Sequence, residues 1–105
     1  MVDKISGDEF QAAAGVEDWK VLDSGEVGTV FSTGSFDKGV ELVVRIGELA
    51  DAANHHPDVD LRYPSVTVRL STHEVGGLTE RDVARAREIS AAAAELEIAA
   101  DPGAA

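Results

Sequence analysis

The strongest constraint on this chain is a proline set directly after two histidines, Asn54-His55-His56-Pro57, where the longest helical pattern of the sequence runs out. Between Phe36 and Ala53, apolar residues recur at Phe36, Val40, Val43, Gly47 and Ala50, and Leu42, Ile46, Leu49 and Ala53 widen the stripe. Lys38, Glu41, Arg45, Glu48 and Asp51 fall mostly on the other side. This is the period of a helix with one buried face, and Ser35 after Gly34 supplies its cap. The residue before proline is pushed towards extended conformations, so the helix stops before His56. Both histidines therefore belong to a helix-ending turn, and the rest of the chain must pack around that helix.

On either side of it the pattern changes to period two. Val16–Asp23 is expected as a strand with Trp19 and Val21 on one face; Ser24-Gly25 turns the chain, and Val27–Thr33 returns it. After the helix, Leu61 and Tyr63 precede Pro64, and Val66, Val68 and Leu70 alternate with Thr67, Arg69 and Ser71. Pro64 cannot donate to a central ladder, so two strands meet at a tight connection around Tyr63-Pro64-Ser65, the second ending at Thr72-His73. A short first helix is expected from Ser6 with Glu9 in the capping-box position and Gly15 as its stop. A last helix opens at Thr79 with Asp82 in the equivalent place, its core stripe being Val83, Ala86, Ile89, Ala93 and Leu96. Asp101–Ala105 is expected to fray. The order α-β-β-α-β-β-α, with two hairpins alternating with helices, predicts an α+β fold in which helices cover one face of an antiparallel sheet.

At 105 residues the chain is expected to form one domain spanning residues 1–105, without staples, since there is no cysteine for a disulfide or a thiolate metal site. Twenty acidic residues against nine basic ones give a formal charge of −11. That sign repels phosphate backbones and anionic lipid, which excludes nucleic acid and membrane surfaces as expected partners. No stretch approaches the ~20 apolar residues of a membrane span, and the N-terminus lacks a signal-peptide pattern. The expected location is cytoplasmic.

All three histidines lie in the stretch Asp51–His73. A helix end carrying His55 and His56 and a strand end carrying His73 can meet at one rim of a helix-on-sheet fold. Adjacent histidines lack the i, i+4 spacing of a shared metal, no HExxH motif is present, and no nucleophile-elbow sequence surrounds Ser71. Asp51 and His55 are an i, i+4 carboxylate–histidine pair, a spacing that suits orienting an imidazole as well as chelation. General acid–base catalysis remains, with no metal and no cofactor expected. Histidine titrates near ~6.5, so imidazoles in one pocket can act as acid and base together.

The run Asp51-x3-His55-His56-Pro57-x5-Tyr63-x9-His73-x8-Asp82 resembles the signature of the pterin-4a-carbinolamine dehydratases, and Leu70-Ser-Thr-His73-Glu with Gly-Leu78-Thr-Glu-Arg-Asp82 extends the match. The resemblance implies a four-stranded antiparallel sheet with three helices on one face and a homo-oligomer, dimer or tetramer. It also implies dehydration of a 4a-hydroxytetrahydropterin to the quinonoid dihydropterin, in the recycling of tetrahydrobiopterin. By position, His55 and His73 are the implied acid–base pair, in either order, and His56 binds and orients the substrate. Asp51, where the family usually has glutamate, Ser71, Thr72 and Asp82 complete the implied pterin site. Val59 stands where the family commonly has tryptophan, which removes an aromatic wall. A protein-binding or assembly-factor member of the same fold without turnover is the alternative, although the acidity argues against partners of the transcription-factor kind.

Overall fold

The computed structural model describes residues 3–105. Three helices and an antiparallel sheet follow in the expected order: α1 (Gly7–Ala12), β1 (Lys20–Val21), β2 (Val27–Ser32), α2 (Phe36–Ala53), β3 (Asp58–Arg62), β4 (Ser65–Leu70) and α3 (Glu80–Glu95). The strands lie in the order β1-β2-β4-β3, so the two hairpins join through the central pair, with Val27 opposite Leu70 and Phe31 opposite Val66. Val66, Val68 and Leu70 are fully buried, as their alternation predicts. Across the core Trp19 meets Phe31 edge to face, with ring centroids 6.1 Å apart, and the indole Nε1 donates to Ser90 Oγ at 2.9 Å. A buried indole thus keeps its hydrogen bond while tying the first hairpin to α3.

The caps form as their residues dictate. Ser6 and Glu9 make a reciprocal capping box on α1, and Thr79 and Asp82 make one on α3. The first helix ends earlier than expected, with Ala13 as its cap ahead of Gly15.

The buried face of α2 differs from the expected stripe. Gly39, Leu42, Ile46 and Ala50 face the core, whereas Phe36, Val40 and Val44 are exposed. The reason is close approach: a Cβ on Gly39 would lie 2.6 Å from Leu61 Cδ1 and 3.4 Å from Val66 Cγ2, so the helix backbone itself seats on the second hairpin at this position. A wheel with apolar residues on more than half its circumference does not show which sector faces inward.

Three further differences concern ends. The first strand is only Lys20–Val21. The strand expected to run to Thr72-His73 stops at Leu70, and His73–Val75 forms a turn of 3-10 helix closed by Gly76 in the left-handed conformation. After α3, β5 (Ala99–Ala100) pairs with β2 opposite Ser32 and Phe31, and in the tail expected to fray the Asp101 N–H donates to Val30 O at 2.7 Å and Pro102–Ala104 form a turn of 3-10 helix. Among the described residues, no helix is long and apolar enough to cross a membrane.

Candidate active site

The histidine-bearing turn is a Schellman ending of α2. Asn54 adopts the left-handed conformation (φ 49°, ψ 45°), its N–H returns to Asp51 O, and the His55 N–H returns to Ala50 O at 3.1 Å. The reversal takes His55 off the helix face, so the i, i+4 pairing with Asp51 does not form. Asp51 instead receives the His56 Nε2–H at 2.9 Å, with both side chains mostly exposed. His55 turns inward and retains only 5% exposure.

Inside, His55 Nε2 donates to the carbonyl of Ser71 at 3.1 Å. A carbonyl can only accept, so Nε2 carries the hydrogen and Nδ1 is the lone-pair nitrogen of the neutral ring. Among the described residues that Nδ1, which is buried, has no hydrogen-bond partner. Asp82 Oδ1 lies 3.1 Å from the same Nε2 but receives no hydrogen bond, because the one hydrogen is aimed at Ser71. The carboxylate therefore faces the ring without a hydrogen bond to it.

Asp82 is fully buried and is held by its other oxygen, which accepts from Thr72 Oγ1 at 2.8 Å and from the Thr79 N–H at 2.9 Å. Thr72 spends its single hydroxyl hydrogen on this carboxylate, so at the 2.8 Å contact between the two threonine hydroxyls Thr79 is the donor. A directed relay Thr79→Thr72→Asp82 thus stands behind His55. Buried polar groups of this kind hold their geometry only when each is satisfied.

His73 sits on the exposed 3-10 turn. The loop that carries it is pinned at its base by the Thr72–Gly77 bridge, where the Thr72 N–H donates to Gly77 O at 2.7 Å. Arg81, in the first turn of α3, joins the two histidine-bearing segments: Nη2 donates to Asn54 O at 3.0 Å and Nη1 to Glu74 Oε1 at 2.9 Å. Glu74 is held below the ordinary carboxylate range, first by that hydrogen bond and then by the charge of the same guanidinium.

A cavity of about 190 Å³ opens between these elements, lined by His55, His56, Ser71, Thr72 and His73 together with Asn54, Glu74 and Arg81. Five of the seven residues singled out in the sequence thus meet on one hollow. Asp51 stands outside it, holding His56, and Asp82 stands behind its wall, facing His55. Val59, exposed on β3, does not line this cavity. Arg81, Glu74 and Asn54 carry no signal in the spacing of the histidines; only the Glu-Arg-Asp sequence at a helix start, which places an arginine beside an acidic cap, points to Arg81.

Comparisons with known proteins bear on the family and the fold. A protein of Nocardia farcinica, provisionally named a pterin-4-alpha-carbinolamine dehydratase, is 41% identical over 91 residues, covering 85% of this chain and 95% of its own. One of Chloroflexus aggregans with the same provisional name is 42% identical over 72 residues, covering 69% of this chain and 77% of its own. The crystal structure of a protein from Brucella melitensis, described as a transcriptional coactivator/pterin dehydratase, aligns with a TM-score of 0.76 at 26% identity, over 87% of this chain and 99% of that one. Residues 3–92 match the family model described as pterin 4 alpha carbinolamine dehydratase, and the chain belongs to that family.

Proposed function

We propose that this protein is a working dehydratase, a hydro-lyase that converts a 4a-hydroxytetrahydropterin to quinonoid dihydropterin and water. The observation that carries the proposal is the gathering of His55, His56 and His73 on one cavity. In the reaction the bond from C4a to its hydroxyl oxygen breaks, the oxygen leaves with an added proton as water, the C4a–N5 double bond forms, and N5 gives up its proton. One donor and one acceptor suffice, and no redox partner or metal enters the balance.

His55 and His73 are the proposed pair. In the neutral ring of His55 the acceptor is Nδ1, buried and without a hydrogen-bond partner among the described residues, because Nε2 is committed to Ser71; the Asp82 carboxylate stands beside the charge that develops when the ring is protonated. His73, on its exposed turn, lines the same cavity. His56, steered by Asp51, holds the substrate ring. The pterin is substrate, and the protein works without a cofactor of its own, in the cytoplasm, within tetrahydrobiopterin recycling. The exposed row Phe36, Val40 and Val44 on α2 supports self-association, which sedimentation velocity tests.

The experiment is a dehydratase assay on purified protein with generated 4a-hydroxypterin. Acceleration over the spontaneous loss of water, abolished in His73→Ala, is the expected result; no acceleration, or an unchanged rate in the variant, ends the proposal. A second reading, a protein-binding member of the fold, is favoured by the same apolar row and by the coactivator description of the Brucella protein. It predicts that Val44→Asp abolishes a specific pulldown while the dehydratase rate stays at background.

A further inference from the structure

His73 is exposed, so the placing of its ring falls to the backbone turn that carries it. That turn closes on itself: the Val75 N–H donates to Thr72 O at 3.2 Å, the Gly76 N–H to His73 O at 3.1 Å and the Gly77 N–H to Thr72 O at 3.4 Å. Gly76 and Gly77 bring no side chain to hold it down, and a Cβ on Gly76 would meet nothing within 4 Å. Arg81 grips the turn at Glu74. A second grip comes from Lys4-Ile5, directly ahead of the Ser6 cap of α1.

Two antiparallel bridges lie back to back here. Thr72 pairs with Gly77, and the next residue, Leu78, pairs with Ile5, so Gly77-Leu78 is the middle strand of a miniature ladder. The Ile5 N–H donates to Leu78 O at 2.8 Å on one side, and the Thr72 N–H to Gly77 O at 2.7 Å on the other. The Lys4 stem crosses the bare backbone of Gly77: a Cβ there would stand 3.4 Å from Lys4 Cε, 3.6 Å from Cδ and 3.9 Å from Cγ, ordinary packing distances. A lysine stem can cover protein surface in this way while its ammonium stays in water. The segment is itself anchored. Ile5 packs on the core, the Ser6–Glu9 capping box fixes the start of α1, and Phe10 is fully buried. Gln11 then accepts from the Val21 N–H and donates to Trp19 O, both at 3.1 Å. The outer strand of the ladder is thus tied through α1 to the first hairpin.

We infer that Lys4 and Ile5 are positioning residues for His73, clamping the return of its turn and so fixing where the ring stands on the cavity. Neither residue lines the histidine cavity, so both act through Gly77-Leu78. As an effect on turnover the inference rests on the dehydratase reading; as an effect on the place of His73 it does not.

The test compares Lys4→Ala, which removes the stem, Lys4→Met, which keeps a long stem without the charge, and Ile5→Pro, which removes the N–H given to Leu78. The chain has three histidines, so ring ¹H–¹⁵N spectra read each one separately. Lys4→Ala and Ile5→Pro are expected to shift the His73 signals and leave those of His55 and His56 in place. Amide exchange should quicken roughly two- to tenfold at Val75–Gly77, the worth of one weakened hydrogen bond, and hold steady at Asn54–His56. The dehydratase kcat should fall roughly tenfold with KM close to wild type, since a displaced proton-transfer group costs rate before binding. Lys4→Met should restore all three readouts, and a Lys4→Met as impaired as Lys4→Ala overturns the role of the stem. Unmoved His73 signals with unchanged exchange in both Lys4→Ala and Ile5→Pro overturn the inference. So does exchange that quickens equally in β2 and β4, which would make the segment a support of the fold alone. Moved His73 signals beside an unchanged kcat remove both residues from the reaction. The ring signals and the exchange need no turnover: a wild type without dehydratase activity ends the dehydratase reading, and the clamp on His73 is still decided by them.

Discussion

Asp82 Oδ1 stands 3.1 Å from His55 Nε2, with the carboxylate fully buried and the imidazole 5% exposed. The aspartate that caps α3 is therefore also the charge behind the histidine at the end of α2. One residue fixes where a helix begins and how a ring across the site is electrically supported. Asp82 does not line the cavity, so its contact with the site runs through His55.

Asp82→Asn isolates that influence. The amide must keep an acceptor towards the Thr72 hydroxyl and the Thr79 N–H, which turns its NH₂ towards the Nε2–H of His55, donor against donor. The ring is then held in the wrong orientation or tautomer. The expected loss in kcat is roughly 10² to 10⁴, the usual range of a general acid–base contribution, with KM close to wild type. Stability should fall by about 1–3 kcal/mol from the disturbed buried hydrogen bonds. Steady-state kinetics and denaturant titration read the two effects separately, and a variant with unchanged kcat removes Asp82 from the mechanism.

Asp51→Ala probes the outer histidine. The Asp51–His56 contact is exposed on both sides, and such pairs contribute little to stability. Melting temperature should hold, while KM for the pterin rises several-fold because His56 loses its orientation. A fall in kcat at constant KM would instead place Asp51 in the acid–base step.

Much of this site was legible as residues and little of it as pairings. The helix from Phe36 to Ala53, the two capping boxes and the buried alternation of Val66, Val68 and Leu70 follow from local periodicity and hydrogen-bonding rules, and the structure keeps them. The partner of Asp51 did not follow, because the left-handed turn at Asn54 rotates His55 away, and an asparagine at a helix end does not by itself announce that conformation. The partner of His55 lies 27 positions along, on another helix, and no local pattern reports it. Likewise the rotation of α2 depends on Gly39 lying against Leu61, a tertiary fact that outweighs the apolar count of the opposite face.

Arg81→Gln tests whether the two histidine-bearing segments need their tether. The guanidinium bonds the Asn54 carbonyl and the Glu74 carboxylate from a position that is 27% exposed. Each lost charge-assisted hydrogen bond is worth about 1.5–3 kcal/mol when sheltered and less when wet, so a fall in melting temperature of a few degrees is expected. Amide exchange should quicken at Asn54–His56 and Glu74–Gly76 and hold steady in β2 and β4. Activity should fall through both kcat and KM, since the variant loosens the geometry of the whole cavity. Uniform exchange in all segments would show that Arg81 serves the fold and not the site.

The same tether has a pH signature. Glu74 is held below its ordinary value of 4.5, chiefly by the hydrogen bond from Arg81. A carboxyl depressed in the folded state contributes stability that is complete above its unfolded value and is lost as pH falls through the folded one. Wild type should therefore melt above Glu74→Gln at neutral pH by a small margin, constant down to about pH 5 and closing below it. Raising the salt should shrink the margin, because the pair is exposed. Melting curves between roughly pH 3 and 7 check this, and a margin that widens in acid contradicts it.

Thr72→Val carries the relay argument to its end. Valine matches threonine in shape, and the site is 1% exposed, so packing changes little while one hydroxyl disappears. That hydroxyl gives its hydrogen to Asp82 Oδ2 and takes one from Thr79, so its removal leaves the Thr79 hydroxyl without its acceptor and Asp82 with a single backbone donor. The expected cost is about 1–3 kcal/mol of stability. A purely structural hydroxyl would lower the melting temperature and leave the turnover of the folded fraction alone. A positioning hydroxyl also lowers kcat and changes the pH–rate profile, because a less firmly held carboxylate supports the ring less well. Thr72→Ser restores the hydroxyl without the methyl and should recover kcat and the profile together. If valine retains the wild-type profile at reduced stability, the chain Thr79→Thr72→Asp82 supports the fold alone, and the orientation of His55 rests on Ser71.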